Sequence, residues 1–208
     1  MRTENRGVAA ARNAGIAAGR DDGDYILPLD ADDRLEPGSV ALAAAVLDED
    51  SRVGVVAGAQ RLIGARSGEN PCAYNGIDSM LKATTIPNIS MFRRQDWDAA
   101  GGYPEQLKLG EDWAFWMRIL KLGREVKVLP QVLHEYRISA AQTTAKFDPI
   151  NFALAQNLVL QENLELYAKH PESLAADLVD ARMLLAHYRE NYRLVDLTKK
   201  RVAKLLRR

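Results

Sequence analysis

Three carboxylates within four residues, Asp30, Asp32 and Asp33, follow directly on the apolar run Tyr25-Ile26-Leu27-Pro28-Leu29. Like charges so crowded are tolerable only beside a cation or a proton, and an apolar run of that length reads as a short strand. The chain therefore gathers negative charge at the end of a strand. In open α/β sheets ligands bind in the crevice beyond the carboxyl ends of the strands, so position suits a site as well as composition does. Carboxylate oxygens are the ligands that Mg²⁺ and Mn²⁺ take, and these ions commonly complete their shell with water and substrate phosphates. The spacing is not that of an EF-hand, which needs a glycine and a distal glutamate that are missing here. A purely structural reading stands beside the chemical one, with Asp33 capping a helix that begins near Pro37 and Asp30 serving a turn.

The order of elements around this stretch predicts a layered α/β sheet. Residues 4–19, rich in alanine and closed by Gly19, read as a helix. A second helix is expected over 37–49, with Pro37 at its first position, and a buried strand over 53–59. Helix, strand, helix, strand is the alternation of a sheet with parallel members. Residues 60–83 lose any sustained period and read as a lid or insertion. Order returns with a strand at 89–92, a short helix at 94–99 and the turn Gly101-Gly102-Tyr103-Pro104. Residues 111–122, EDWAFWMRILKL, place Trp113, Trp116, Met117 and Leu120 on one helical face and end at Gly123. A strand follows over 125–136. From about 145 onward only helices are expected, at 147–168, 172–190 and 192–207, which divides the chain into an α/β domain, 1–145, and a helical C-terminal extension, 146–208.

Composition removes several function classes. The 208 residues carry 28 acidic and 28 basic side chains, so no net charge favours nucleic acid. The single cysteine, Cys72, has no partner for an internal disulfide or a metal cluster, as expected of a reducing compartment. No apolar run is long enough to span a bilayer, and MRTENRGVAAARNAG lacks the apolar centre of a signal peptide; the expected location is cytoplasmic. The last ten residues set Lys199, Lys200, Arg201, Lys204, Arg207 and Arg208 among leucines. A basic amphipathic helix of this kind can lie on the inner face of a membrane as a peripheral contact, and the alternative is a solvated helix end with favourable C-terminal cations.

Glu111 and Asp112 open the aromatic helix. A carboxylate in a first helical turn is favoured by the helix dipole, which is expected to lower its pKa and keep it ionised as a proton acceptor. Acidic residues that merely start a helix are the alternative.

Taken in order, ENRGVAAARNAG, GDYILPLDADDRLEPGSV, SMFRRQDWDAAGGYPE, LGEDWAFWMRILKLG and HEYRIS resemble the inverting family 2 glycosyltransferases of GT-A fold, over residues 4–139. The resemblance implies a mixed sheet flanked by helices, of the nucleotide-diphospho-sugar transferase type. It implies transfer of a sugar from a nucleotide-diphospho-sugar donor to a hydroxyl of a saccharide or other acceptor, with Mn²⁺ or Mg²⁺ on the diphosphate. Carried over residue by residue, Asp30 and Asp32 are the DxD pair that hold the metal, with Asp33 a further ligand. Asp112 is the general base and Glu111 its helper, while Arg12 and Arg137, with Asp30, face the nucleotide or its phosphates. Trp113 and Tyr103 are placed to stack on sugar faces, whereas Trp97 and Trp116 are assigned to the core and His134 to either structure or phosphate contact.

The chain departs from the family pattern twice. The strand-helix-strand unit that binds the nucleotide base would lie ahead of residue 4, so a truncated sheet is expected, open to self-association through its free edge. The family's YR-x-H motif reads Tyr136-Arg137-Ile138-Ser139 here, and serine is a poor replacement for a histidine that assists the metal. A catalytically inactive remnant acting as a binding or assembly subunit is the alternative function.

Overall fold

The computed structural model describes residues 4–19, 23–139 and 149–176, together with 178, 179, 182, 183 and 186. Contacts divide the chain into one unit ending at Leu164 and a second beginning at Glu165. The first unit is built on a six-stranded mixed sheet in the order β1-β5-β3-β6-β2, with β4 paired to β3.

Its centre is the pair β3 (Val53–Gly64) and β6 (Glu125–Ile138), parallel from Val53↔Glu125 to Gly64↔Ile138. Between Gly58↔Leu129 and Ala59↔Val132, β6 carries two extra residues, Pro130 and Gln131. A proline without an N–H is accommodated at such a bulge. The bulge drives Leu133 and the Gln131 carbonyl so close to Gly58 that a Cβ there would lie 2.4 Å from Leu133 Cγ; only glycine fits. On one side β3 pairs antiparallel with β5 (Met91–Arg93), which pairs antiparallel with β1 (Tyr25–Ile26). On the other side β6 pairs antiparallel with β2 (Arg34–Leu35). Because β1 and β2 occupy opposite edges, residues 27–33 must cross the end of the three strands between them. That crossing carries the acidic turn over the centre of the sheet.

The period of two along the central strands assigns each face. Val56 and Met91 turn to helix α2 (Ser39–Glu49), where Ala43 and Leu47 join Val53, Leu129 and Leu133 in one buried cluster. Phe92, one residue along, turns to the opposite face and meets Phe115 and Trp116 edge-on, with ring centroids 5.1 and 5.6 Å away. Both belong to α5 (Glu111–Lys121), whose Trp113, Phe115, Trp116, Met117 and Ile119 are all buried. Around α5 stand α1 (Val8–Ala18), α3 (Ile77–Lys82), α4 (Arg94–Ala100) and α6 (Pro149–Glu162). Helix α7 (Leu164–Lys169) begins on the last residue of the first unit, and residues 171–176 of the second unit are helical.

Several expectations are corrected. The strand after Asp24 has two ladder residues instead of five: Pro28 cannot donate to a ladder, and β1 lies at an edge of the sheet. The region 60–83 is not an irregular lid, since β3 runs on to Gly64, turns into β4 (Gly68–Asn70) and leads to α3. Polar Gln60 and Arg61 hid the continuation of β3, whose outer half is held by β6 on one side and β4 on the other. The second helix begins at Ser39, because Gly38 adopts φ +80°. Asp33 does not cap it. Among the described residues no helix is long and apolar enough to cross a membrane, and the basic helix expected at 192–207 lies outside those residues.

Candidate active site

Helix α1 brings Arg12 beneath the end of the sheet, where its guanidinium, nearly buried, spans two acidic segments. Nη2 donates to Asp30 Oδ1 at 3.1 Å and Nη1 to Glu111 Oε1 at 2.9 Å. The cation also lies over the Tyr103 ring, 5.5 Å from its centroid. The neighbouring Asn13 fixes α1 against the turn before α5: its Oδ1 accepts from Tyr103 N and Trp97 Nε1, and its Nδ2 donates to Tyr103 O and Glu105 Oε1. All the hydrogen-bonding capacity of this amide is used in placing its neighbour Arg12.

Asp30 is held from a second direction, its Oδ2 accepting from Asn88 Nδ2 at 2.7 Å. Arg12, Asp30, Asn88, Glu111 and Asp112 line one cavity of about 520 Å³, with Val8, Gln60, Lys108, Leu109, Gly110 and Tyr136 completing the wall. The N-terminus of α1 opens onto the same cavity at Val8 and has no side-chain cap, so its free N–H groups add positive potential there.

The cavity unites Arg12, Asp30, Glu111 and Asp112. The remaining sequence-derived residues sit beside it. Asp32 is exposed on the turn. Asp33 is buried, with Oδ1 accepting from the Arg137 N–H at 2.8 Å and Oδ2 without a partner; burial pushes its carboxyl above the ordinary range, against the pull of that N–H. Arg137 returns a bond from Nε to Asp32 O at 3.0 Å, so Asp33 and Arg137 together pin the acidic turn to the end of β6. Asp33 could meet a cation only by leaving this arrangement.

Asp112 overturns the expectation of a dipole-lowered pKa. Burial, reinforced by the charge of Glu111, pushes it up to about 6, although the Trp113 N–H donating to Oδ1 at 2.8 Å and the Arg12 charge both oppose the rise. Desolvation outweighs the helix terminus here. Glu111 is tied to Arg12, whereas Asp112 accepts from the adjacent Trp113 N–H.

Two aromatic expectations are also corrected. Tyr103 and Trp113 are each 2% exposed. Tyr103 packs on Phe115 at 4.1 Å, and Trp113 donates from Nε1 to Met80 O at 2.7 Å. Neither presents a face to a sugar. For Trp113 the position in the apolar stripe, not nearness to the acidic pair, was the informative signal. Trp116 lies in the core as expected, while Trp97 is half-buried and bonded to Asn13. His134 is fully buried, its Nε2 lies 3.1 Å from Gln60 Nε2, and burial lowers its pKa to about 4, so the ring is neutral. Asn13, Gln60, Asn88 and Lys108 were not singled out from sequence, since isolated amides and one lysine carry no periodic signal.

The mixed sheet flanked by helices is of GT-A-like fold. Residues 1–99 match the model of the family described as Glycosyl transferase family 2. The chondroitin synthase of Pasteurella multocida strain Pm70 and the hyaluronan synthase of Pasteurella multocida are each 25% identical over 128 residues, 60% of this chain. The chain spans 13% of the length of either relative. Among solved structures, Staphylococcus aureus TarS 1–349 with UDP-GlcNAc superposes with a TM-score of 0.67 at 20% identity, covering 86% of this chain and 54% of that one. TarS 1–349 with UDP gives 0.63 at 21% identity, covering 86% and 52%. These likenesses establish the fold.

Proposed function

We propose that this chain transfers a sugar from a nucleotide-diphospho-sugar to an acceptor hydroxyl with inversion, Asp112 acting as general base. The observation that carries this reading is the convergence of Arg12, Asp30, Glu111 and Asp112 on one cavity, although they come from segments up to about a hundred residues apart in sequence. The cavity volume suits a small-molecule substrate.

Each residue has a role that follows from its contacts. Asp112, with Oδ1 on the Trp113 N–H, offers Oδ2 to the acceptor hydroxyl and takes its proton as the oxygen attacks the anomeric carbon from the face opposite the diphosphate. A pKa raised toward neutrality makes it a stronger acceptor than an ordinary carboxylate while leaving it ionised at neutral pH. Glu111 keeps Arg12 in place and is itself held by it. Arg12, the α1 N-terminus and Arg137 supply positive charge beside the phosphates. One backside attack gives inversion, and one carboxylate suffices because no protein acid has to protonate the departing diphosphate.

Asp30 and Asp32 fit a divalent cation. Both are carboxylates on one turn, Asp32 open to solvent and Asp30 fixed at the cavity wall by Asn88, and Mg²⁺ and Mn²⁺ are commonly held by one or two carboxylates plus substrate phosphates. When bound, the ion supplies positive charge to the leaving diphosphate.

The test is calorimetry of the chain with UDP, GDP and TDP sugars, with and without Mn²⁺. UDP and UDP-GlcNAc are the first ligands to try because the TarS structures hold them. Metal-dependent binding of one donor is expected. A chain that binds no nucleotide under either condition would instead be the non-catalytic binding subunit.

A further inference from the structure

Helix α6 follows every strand of the sheet in sequence and contributes no charged group to the cavity, yet it bears on the base-carrying helix at three levels. At the first, fully buried Ala155 sits against Gly110: a Cβ placed on Gly110 would lie 2.8 Å from the Ala155 methyl. At the second, the Phe152 ring stacks on Trp113, with centroids 6.3 Å apart and planes at 23°. At the third, Glu162 receives both arms of Arg118, at 2.8 and 2.6 Å, and its backbone carbonyl accepts from Lys121 Nζ.

The contact at Gly110 falls where α5 most needs support. The first turn of any helix lacks the hydrogen bonds that hold later turns, and α5 has no side-chain cap. Gly110 adopts φ +75°, which an L residue rarely tolerates, and its carbonyl accepts from Ala114 N at 3.1 Å to close that turn. Packing from α6 therefore stands in for a cap, directly before Glu111 and Asp112. The Met80 carbonyl holds Trp113 as well, so the turn is tied to α3 and to α6.

We infer that α6 is a positioning element for the transfer reaction, with Ala155 and Phe152 fixing the depth at which Asp112 stands in the cavity. This rests on Asp112 being the base. A displacement of the order of 1 Å at a reacting group costs about 100-fold in rate, so a helix that touches no substrate can control turnover through this contact alone.

The test uses the full chain and two variants, Ala155→Val, which forces Gly110 and Ala155 apart, and Phe152→Ala, which removes the stack without crowding. Hydrogen exchange by mass spectrometry over residues 108–115 is read against β3 and β6. UDP affinity in Mn²⁺ and turnover of UDP-GlcNAc are measured alongside. The expected result for both variants is exchange at least about tenfold faster in the first turn of α5, with β3 and β6 unchanged. UDP affinity should stay within about twofold while turnover falls about tenfold or more. Exchange that stays slow at 108–115, or rises equally in the sheet, or is accompanied by a matching loss of UDP affinity, would overturn the inference. Asp112→Asn run in parallel separates the two ideas: full turnover in that variant would refute the base, whereas the exchange pattern still decides whether α6 braces α5.

Discussion

The two acidic segments that meet at Arg12 are built in opposite ways. The Asp30–Asp33 turn lies at the end of a two-residue strand and is held by side chains from elsewhere, Arg12, Asn88 and Arg137. Glu111 and Asp112 stand on a helix whose Trp113, Phe115, Trp116 and Met117 are all buried and whose first turn is packed from outside. One segment is pinned by single side chains and leaves Asp32 open to solvent; the other is anchored in the core. In the proposed reading the turn would accept a cation and phosphates and gains from exposure, whereas the base would keep its position and raised pKa through burial.

The largest effect should come from attacking the anchor. Trp116→Ala removes a fully buried ring packed on Phe92 and Phe115 and should lower stability by about 3–5 kcal/mol in urea titrations. Next is the tie between the segments. Arg12→Met leaves Asp30 and Glu111 without their shared countercharge, and a loss of roughly 2–3 kcal/mol is expected at pH 8. A loss below about 0.5 kcal/mol would mean that the pairing of Arg12 with Asp30 and Glu111 holds little of the structure together.

A kinetic difference follows from burial. As the proposed base, Asp112 would have to be ionised to accept a proton, and with its pKa raised to about 6 kcat/KM should fall as pH drops through about 6, not through the ordinary carboxylate range near 4. An acid limb near 4 would contradict the desolvated environment. The smallest structural effect belongs to the exposed segment. Asp32→Asn should change stability by less than about 0.5 kcal/mol while removing whatever gain Mn²⁺ gives to UDP affinity. A large loss of stability would mean that the turn is structural.

The same contrast governs what the sequence made legible. Asp30 and Asp32 could be read because an apolar run ends in crowded charge, and α5 because Trp113, Trp116, Met117 and Leu120 recur at helical spacing. That periodicity also carried the burial of Trp113, which a role in sugar stacking overrode. The continuation of β3 past Ala59 was hidden because Gln60 and Arg61 look like loop residues, although β4 and β6 flank them. Asn88 and Asn13 determine where Asp30 and Arg12 stand, but an amide that acts by reaching across the fold leaves no local pattern. The pKa of Asp112 was read in the wrong direction for a related reason: its place at a helix start is local, whereas the burial that outweighs the dipole is tertiary.

The central claim, that Asp112 is the base and the acidic turn holds the donor, is tested most directly by Asp112→Asn. Turnover of a nucleotide-sugar that the wild-type chain binds is measured together with its affinity for the nucleotide in Mn²⁺. The Asn side chain can still accept the Trp113 N–H, so the fold is expected to hold. Turnover should fall about 10²–10⁴-fold with donor affinity within about twofold. Unchanged turnover, or a loss of affinity that matches the loss of turnover, would contradict the account.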